Sequence, residues 1–370
     1  MKPQRIVSSL VGCLSLLLML SSAKAQSPVM ITVSKGFGVS LYASGVEDAK
    51  QLALGEQGTL FVGSGAAGNL MALVDENADG RVDRRYVIDR YLQRPEALAY
   101  HQGDLYVAER DRILRYANIE ARLKRPVKPK VVYSGLPPQE NGATRTMAFG
   151  PDGLLYLALG TPCNVCDPNA PYGSILTIDP DSGAATQVAT GVRRVLGMDW
   201  SPHDQRLWFS DNSREWMGDN LPADEINRVG QVGSHFGFPF IHGSQTREPS
   251  YQLPAQLKVV APEYELPAHV SPAGIHFYRG TVFPDRFQQQ LFVAEHGSTN
   301  RSSKVGYQVV VLTMEGNKVV DRTPLVSFLD GEFPVARPYS LVTAPDGALY
   351  ISDDLKGNVY RLYYKGLEAE

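Results

Sequence analysis

The chain has 370 residues, 43% hydrophobic and 20% charged, an ordinary globular balance with enough apolar mass for a sizeable core. Its 36 basic and 39 acidic residues leave a net charge of −3 at pH 7, which argues against nucleic acid or anionic lipid as the main partner. The 34 Gly and 25 Pro point to many turns.

In chain order, Lys2 and Arg5 precede an apolar run from Leu10 to Leu20, and Ser22-Ala-Lys-Ala25 supplies small residues for cleavage. Residues 1–25 therefore read as a secretory signal, and the run is too short for a membrane span. The mature chain, residues 26–370, is expected to be periplasmic or secreted, with no transmembrane segment. It becomes more acidic, because Lys2, Arg5 and Lys24 leave with the leader. Leu10-Val-Gly-Cys13 could pass for a lipoprotein box, but the apolar stretch continues beyond Cys13 where it should end.

From residue 57 onward one pattern recurs. A turn rich in Gly, Asp or Pro leads into a short apolar strand six times, with Leu60, Leu105, Leu155, Leu207, Leu291 and Leu349 as markers. In several copies a second strand-like segment comes first, such as 95–100, 146–149, 197–200 and 339–342. Two strands joined by an Asp-Gly turn make a hairpin, and radial repetition of such sheets makes a propeller. The intervals suit four-stranded blades, and the longest, containing residues 211–272, assigns the largest loop to blade four. No helical periodicity is sustained, the turn-rich intervals leave little room for the eight helices of a barrel, and a β-sandwich is the competing fold. The expectation is an all-β, six-bladed β-propeller, one domain filling residues 26–370.

Three segments carry candidate chemistry. Val74 to Asp83 places side-chain oxygens at Asp75, Asn77, Asp79 and Asp83 around Gly80, a spacing suited to calcium. Tyr86 stands where an EF-hand would have its bidentate Glu, so a plain Asp/Asn/Gly turn competes with this second metal site. Cys163 and Cys166 are the only cysteines of the mature chain, and in an exported protein the pair favours a disulfide over half a zinc site. The stretch from Arg193 to Asn227 is dense in charge, and its arginines suit carboxylate ligands at a propeller mouth.

At this point the order of motifs resembles the soluble-type pyrroloquinoline quinone (PQQ) dependent sugar dehydrogenases, most closely their sorbosone and aldose dehydrogenase branch. The matching stretches are 144–153, 160–166, 193–227 ending Asp224-Glu-Ile-Asn227, 236–239, 269–274, 294–301 with 305–307, and Arg337-Pro338 followed by 345–347 and 352–354. The resemblance implies a tricarboxylate quinone over the propeller axis, held by basic side chains, with calcium beneath it. Carried over by position, Arg193 and Arg337 fall on cofactor-carboxylate ligands, with Arg194 beside them where the family often has Asn. Asn212 falls on a polar cofactor contact, the backbone of Ser213 and Arg214 on calcium ligands, and His296 and Arg301 near a basic contact from blade five. Tyr339 stands where a second cofactor Arg can occur, and Thr299 where the branch usually has Trp.

One departure concerns the chemistry itself. The family's catalytic histidine position falls at Ala143 or Gly142, and neither can accept a proton; losing such a base typically costs ~10²–10⁴ in rate. His235, His242 or His269, from the long loop, could replace it. The function expected is an exported, PQQ- and calcium-dependent oxidoreductase passing hydride from the CH–OH or aldehyde group of a sugar to the quinone and on to an external electron acceptor. A non-catalytic propeller that binds sugar, quinone or protein is the alternative, and a calcium-dependent lactonase a third.

Overall fold

Tight turns set the strand pairing. Gly153 (φ 75°) closes the hairpin of Arg145–Phe149 with Leu155–Leu159, and Gly347 (φ 81°) that of Pro338–Thr343 with Leu349–Asp353. These left-handed backbone conformations suit residues without a Cβ. The computed structural model describes residues 30–138 and 143–366; the expected leader and Gly142 lie outside them.

Six sheets, antiparallel through their four blade strands, stand in a ring, giving the expected all-β, six-bladed propeller. Their innermost strands are Ala49–Leu54, Ala97–His101, Arg145–Phe149, Val195–Trp200, Pro272–Phe277 and Pro338–Thr343, each against the next around the axis. All six leucine markers lie on the second strands and are buried. Among the described residues the only helical turns are Glu120–Arg122 and Asp285–Phe287, both 3₁₀.

The apolar core is divided among the blade interfaces. Phe61 and Tyr116 pack between blades one and two, Phe209 with Ile175 between three and four, and Phe292 with Ile351 between five and six. Each blade buries both faces because it is sandwiched by two others, which is why its central strands are apolar in continuous runs such as Leu155–Leu159 and Ser174–Ile178.

Two features differ from the sequence reading. Phe37–Ala43 forms the outer strand of blade six by pairing with Asn358–Tyr364, so the two ends of the chain close the ring, and Thr32–Val33 adds a fifth strand to blade five. The long segment after blade four's third strand does not stay with blade four. Ser234–His235 pairs in parallel with Ala185–Thr190 of blade three before the chain returns as Tyr264–Leu266 to complete blade four.

Inner strands all start from one end of the ring. The loops that lead into them, and those between second and third strands, gather there and form the mouth.

Candidate functional site

The loops at the mouth are fastened by acids at the ends of second strands. Asp211 accepts from the backbone N–H groups of Arg193 (2.9 Å) and Arg194 (2.6 Å), and Asp353 from that of Arg337 (2.9 Å). Burial pushes both carboxyls up, against the stabilising backbone donors. The same Ser-Asp pair ends both strands, at Ser210-Asp211 and Ser352-Asp353, and presents Arg193, Arg194 and Arg337 at the mouth.

Next to Asp353, the side chain of Asp354 is almost wholly buried and collects three basic residues. Lys50 Nζ donates to it, as do His296 Nε2 (3.0 Å) and Arg337 Nε (2.9 Å). Burial raises the Asp354 pKa, but the donors, His296 first, outweigh it and hold the carboxyl well below the usual range. Burial pushes the His296 imidazole down, so it is neutral near pH 7. Tyr339 lies under this cluster, its ring 4.6 Å from Lys50 Nζ and edge-on to His296 at 5.7 Å. With Leu196 and Ala273 it forms a buried apolar floor drawn from the inner strands of blades four, five and six. A flat, polyanionic molecule fits such a floor with cations at its margin. Buried polar atoms without a hydrogen bond recur at this end, among them Thr144 Oγ1 and Arg301 Nε, both donors suited to an anion.

Arg193 is spent differently from the expectation. Its guanidinium is buried and donates to the carbonyls of Asn164 (3.0 Å), Asn212 (2.9 Å) and Ser213 (2.7 Å) and to Asn164 Oδ1 (2.9 Å). Burial, reinforced by the charge of Arg194, pushes its pKa down to about 10. It therefore braces the loops. The Ser213 carbonyl, placed by resemblance on calcium, faces this cation, and the Arg214 side chain pairs with Glu248 at 2.6 Å. A dication beside a guanidinium is repelled, so the Ser213 carbonyl, as Arg193 uses it here, is a poor calcium ligand. Among the described residues no three His, Cys, Asp or Glu side chains are disposed to hold a metal. Asn212, expected to touch a cofactor, donates through its amide to the carbonyl of Pro272 (2.6 Å).

The remaining candidates are placed as follows. Cys163 and Cys166 are joined in a disulfide, in the loop between the second and third strands of blade three. Asn164 between them grips Arg193 and the backbone of Glu215. Arg301 donates to the carbonyl of Asp219 and so ties blade five's loop to blade four's. In the Asp75 to Asp83 loop the side chains accept from its own backbone, Gly80 N–H to Asp75 at 2.8 Å and Glu76 N–H to Asp83 at 2.8 Å, as in a capped turn.

Ala143 is buried at the start of blade three. None of the three replacement histidines joins the Asp354 cluster. His269 Nε2 donates to the Gly218 carbonyl at 2.8 Å, His242 lies 3.2 Å from Glu248, and His235 accepts from the Gly237 N–H at 3.1 Å. The sequence does not by itself single out Lys50, Asp354, Asn164 or Asp211; the repeated Ser-Asp at strand ends is the signal that marks Asp211 and, one residue before Asp354, Asp353.

Solved structures share this architecture. The holo form of the pyranose dehydrogenase PQQ domain from Coprinopsis cinerea superposes with a TM-score of 0.75 at 19% identity, over 91% of this chain and 98% of that one. The calcium structure of a Trichoderma reesei carbohydrate-active enzyme of family AA12 gives 0.78 at 18%, over 91% and 98%. The PQQ-bound aldose sugar dehydrogenase from Streptomyces coelicolor gives 0.62 at 18%, over 90% and 99%. At these identities the likeness shows the fold. An uncharacterized protein of Borreliella burgdorferi is 31% identical over 373 residues, spanning 96% of this chain and 97% of its own. A family model described as "Domain of unknown function (DUF7133)" matches residues 23–359, and with nearly the whole ring inside that match, the chain belongs to this family.

Proposed function

We propose that the mouth binds a planar, polyanionic quinone of the PQQ type and oxidises the CH–OH or aldehyde group of a sugar. The observation that carries this reading is Asp354 with its three basic partners over the Tyr339 floor. That structures with this architecture are described as PQQ-bound supports it. Bound there, such a quinone supplies a two-electron acceptor for hydride. Arg337, Arg194 and Lys50 would hold its carboxylates, and Thr144 and Arg301 offer further donors. With Ala143 in the family's base position, the proton of the sugar hydroxyl passes to His296. Its Nε2–H, donated to Asp354, fixes the tautomer that leaves Nδ1 free to accept. Asp354 is thus a positioning residue, held ionised by its three donors. Calcium is left out of this reading, because the Ser213 carbonyl, one of the two assigned to it, already accepts from Arg193.

A single-domain mature chain of residues 26–370, exported after loss of residues 1–25, agrees with a disulfide of the kind that persists in oxidising compartments. The sorbosone and aldose branch is the substrate range we assign, with an external acceptor re-oxidising the quinone. The buried Ala143 favours, as a second reading, a propeller that binds the quinone without turnover.

Titration of chelator-treated protein with PQQ, followed by quenching of intrinsic fluorescence, tests binding. Dye reduction with aldoses then tests turnover. Saturable binding with dye reduction abolished by His296→Gln supports the enzyme; binding with no reduction by wild type supports the second reading; no binding overturns both.

A further inference from the structure

Two bulky residues at the mouth are held outward at a conformational cost. Trp216 is 72% exposed with φ 69°, and Tyr91 is 92% exposed with φ 62°. A large side chain in left-handed backbone is a steric outlier, and such strain persists only where surrounding structure imposes it. Phe333, 78% exposed, stands on the same end of the ring, at the tip of the small hairpin Leu329–Asp330 with Phe333–Pro334.

The loops carrying Trp216 and Phe333 are joined through a third. Ser302 N–H donates to Asp219 at 3.1 Å and Arg301 reaches the Asp219 carbonyl, which fastens blade five's loop to the Trp216 loop. On the other side, Lys304 N–H donates to Glu332 at 2.8 Å, next to Phe333. Between the two aromatics, Thr299, Asn300, Ser302 and Ser303 are all exposed. The rim over blades four to six is therefore a strip with a ring near each end and hydroxyl and amide groups between.

This is the chemistry of a carbohydrate surface in complement. The negative face of an aromatic ring attracts the polarised C–H groups on one side of a pyranose, while hydroxyls and amides exchange hydrogen bonds with its equatorial OH groups. A protein partner would want a contiguous apolar patch with a dry centre, and here the rings are separated by polar residues.

We propose that the strip from Trp216 through Thr299–Lys304 to Phe333 binds a carbohydrate chain, so that the sugar presented to the mouth is the end of an oligosaccharide. This rests on the sugar-oxidising reading for the identity of the reacting group, but binding to the strip can be measured without turnover.

Trp216 offers its own probe, since Trp200 and Trp208 are buried. Acrylamide quenching of the mature protein would be measured with glucose, maltohexaose, cellohexaose and chitohexaose. At least one hexasaccharide should shield Trp216 and bind about tenfold tighter than glucose, the worth of two ring stacks. Trp216→Ala and Phe333→Ala, both surface changes, should each reduce that length advantage, read by calorimetry, and leave PQQ binding unchanged. If no hexasaccharide shields Trp216 while PQQ still binds, the strip is rejected and the cofactor reading stands. If hexasaccharides bind but PQQ does not, the strip stands and the oxidoreductase reading falls. Loss of electron transfer to cytochrome c in Trp216→Ala, with no saccharide binding in wild type, would reassign the strip to a protein acceptor and overturn the proposal.

Discussion

Arg337 and Arg145 illustrate two uses of one side chain. Arg337 is partly exposed at the mouth and shares Asp354 with Lys50 and His296. If it holds a cofactor carboxylate, Arg337→Ala should weaken PQQ binding at least tenfold, since a charge-assisted contact is worth about 1.5–3 kcal/mol; equilibrium titration checks this. Arg145 is buried, its pKa pushed down to about 10 by burial, and donates to the carbonyls of Glu109, Arg110 and Pro137. Arg145→Ala strands those carbonyls and should lower stability by about 3 kcal/mol in urea unfolding. His276, at the far end of the axis, bonds Thr343 at 2.7 Å, and burial pushes it down from 6.5 to about 4. Between those values the unfolded chain holds a proton that the native ring refuses. Stability conferred by neutral His276 is thus full above pH 6.5 and lost as pH falls toward 4, on the order of 2–3 kcal/mol. His276→Gln should flatten that acid limb when melting is followed across pH.

At the scale of elements, the second strands were legible and their partners less so. Leu154-Leu-Tyr-Leu157 after Asp152-Gly153 announces its own hairpin, because turn chemistry and a short apolar run act over a few residues. Phe37–Ala43 carries no comparable label for a partner at Asn358–Tyr364, and nothing in Ser234-His235 marks a parallel return to blade three. The site divides in the same way. Arg193, Arg337 and His296 were visible as residue types. That Arg193 faces backbone carbonyls was not visible, since carbonyls belong to every residue. Two cysteines three residues apart in an exported chain announce a disulfide, and the structure adds that Asn164 inside its loop grips Arg193 and Glu215. Replacing both cysteines with Ser should therefore loosen the mouth more than the fold. Hydrogen exchange should rise in residues 212–216 by about tenfold or more, while the urea midpoint shifts by less than a loop this short could support.

For the whole molecule, the ring is held by apolar interfaces between blades, and each blade depends on two neighbours. Deleting the chain through Ala43 removes the outer strand of blade six and the fifth strand of blade five together. Such a truncation should fail to give a cooperative unfolding transition by circular dichroism, whereas blunting the exposed loop tip at Val282 should be silent.

The closure of blade six also sets a clock. Its outer strand is synthesised before all five other blades and its remaining strands after them, so Phe37–Ala43 must wait for Asn358–Tyr364 before it has a partner. Completion of the ring waits for the inner strands of blade six by construction. A nascent chain that cannot finish folding is also one that can still be threaded, and the strand order keeps it in that state until blade six is made.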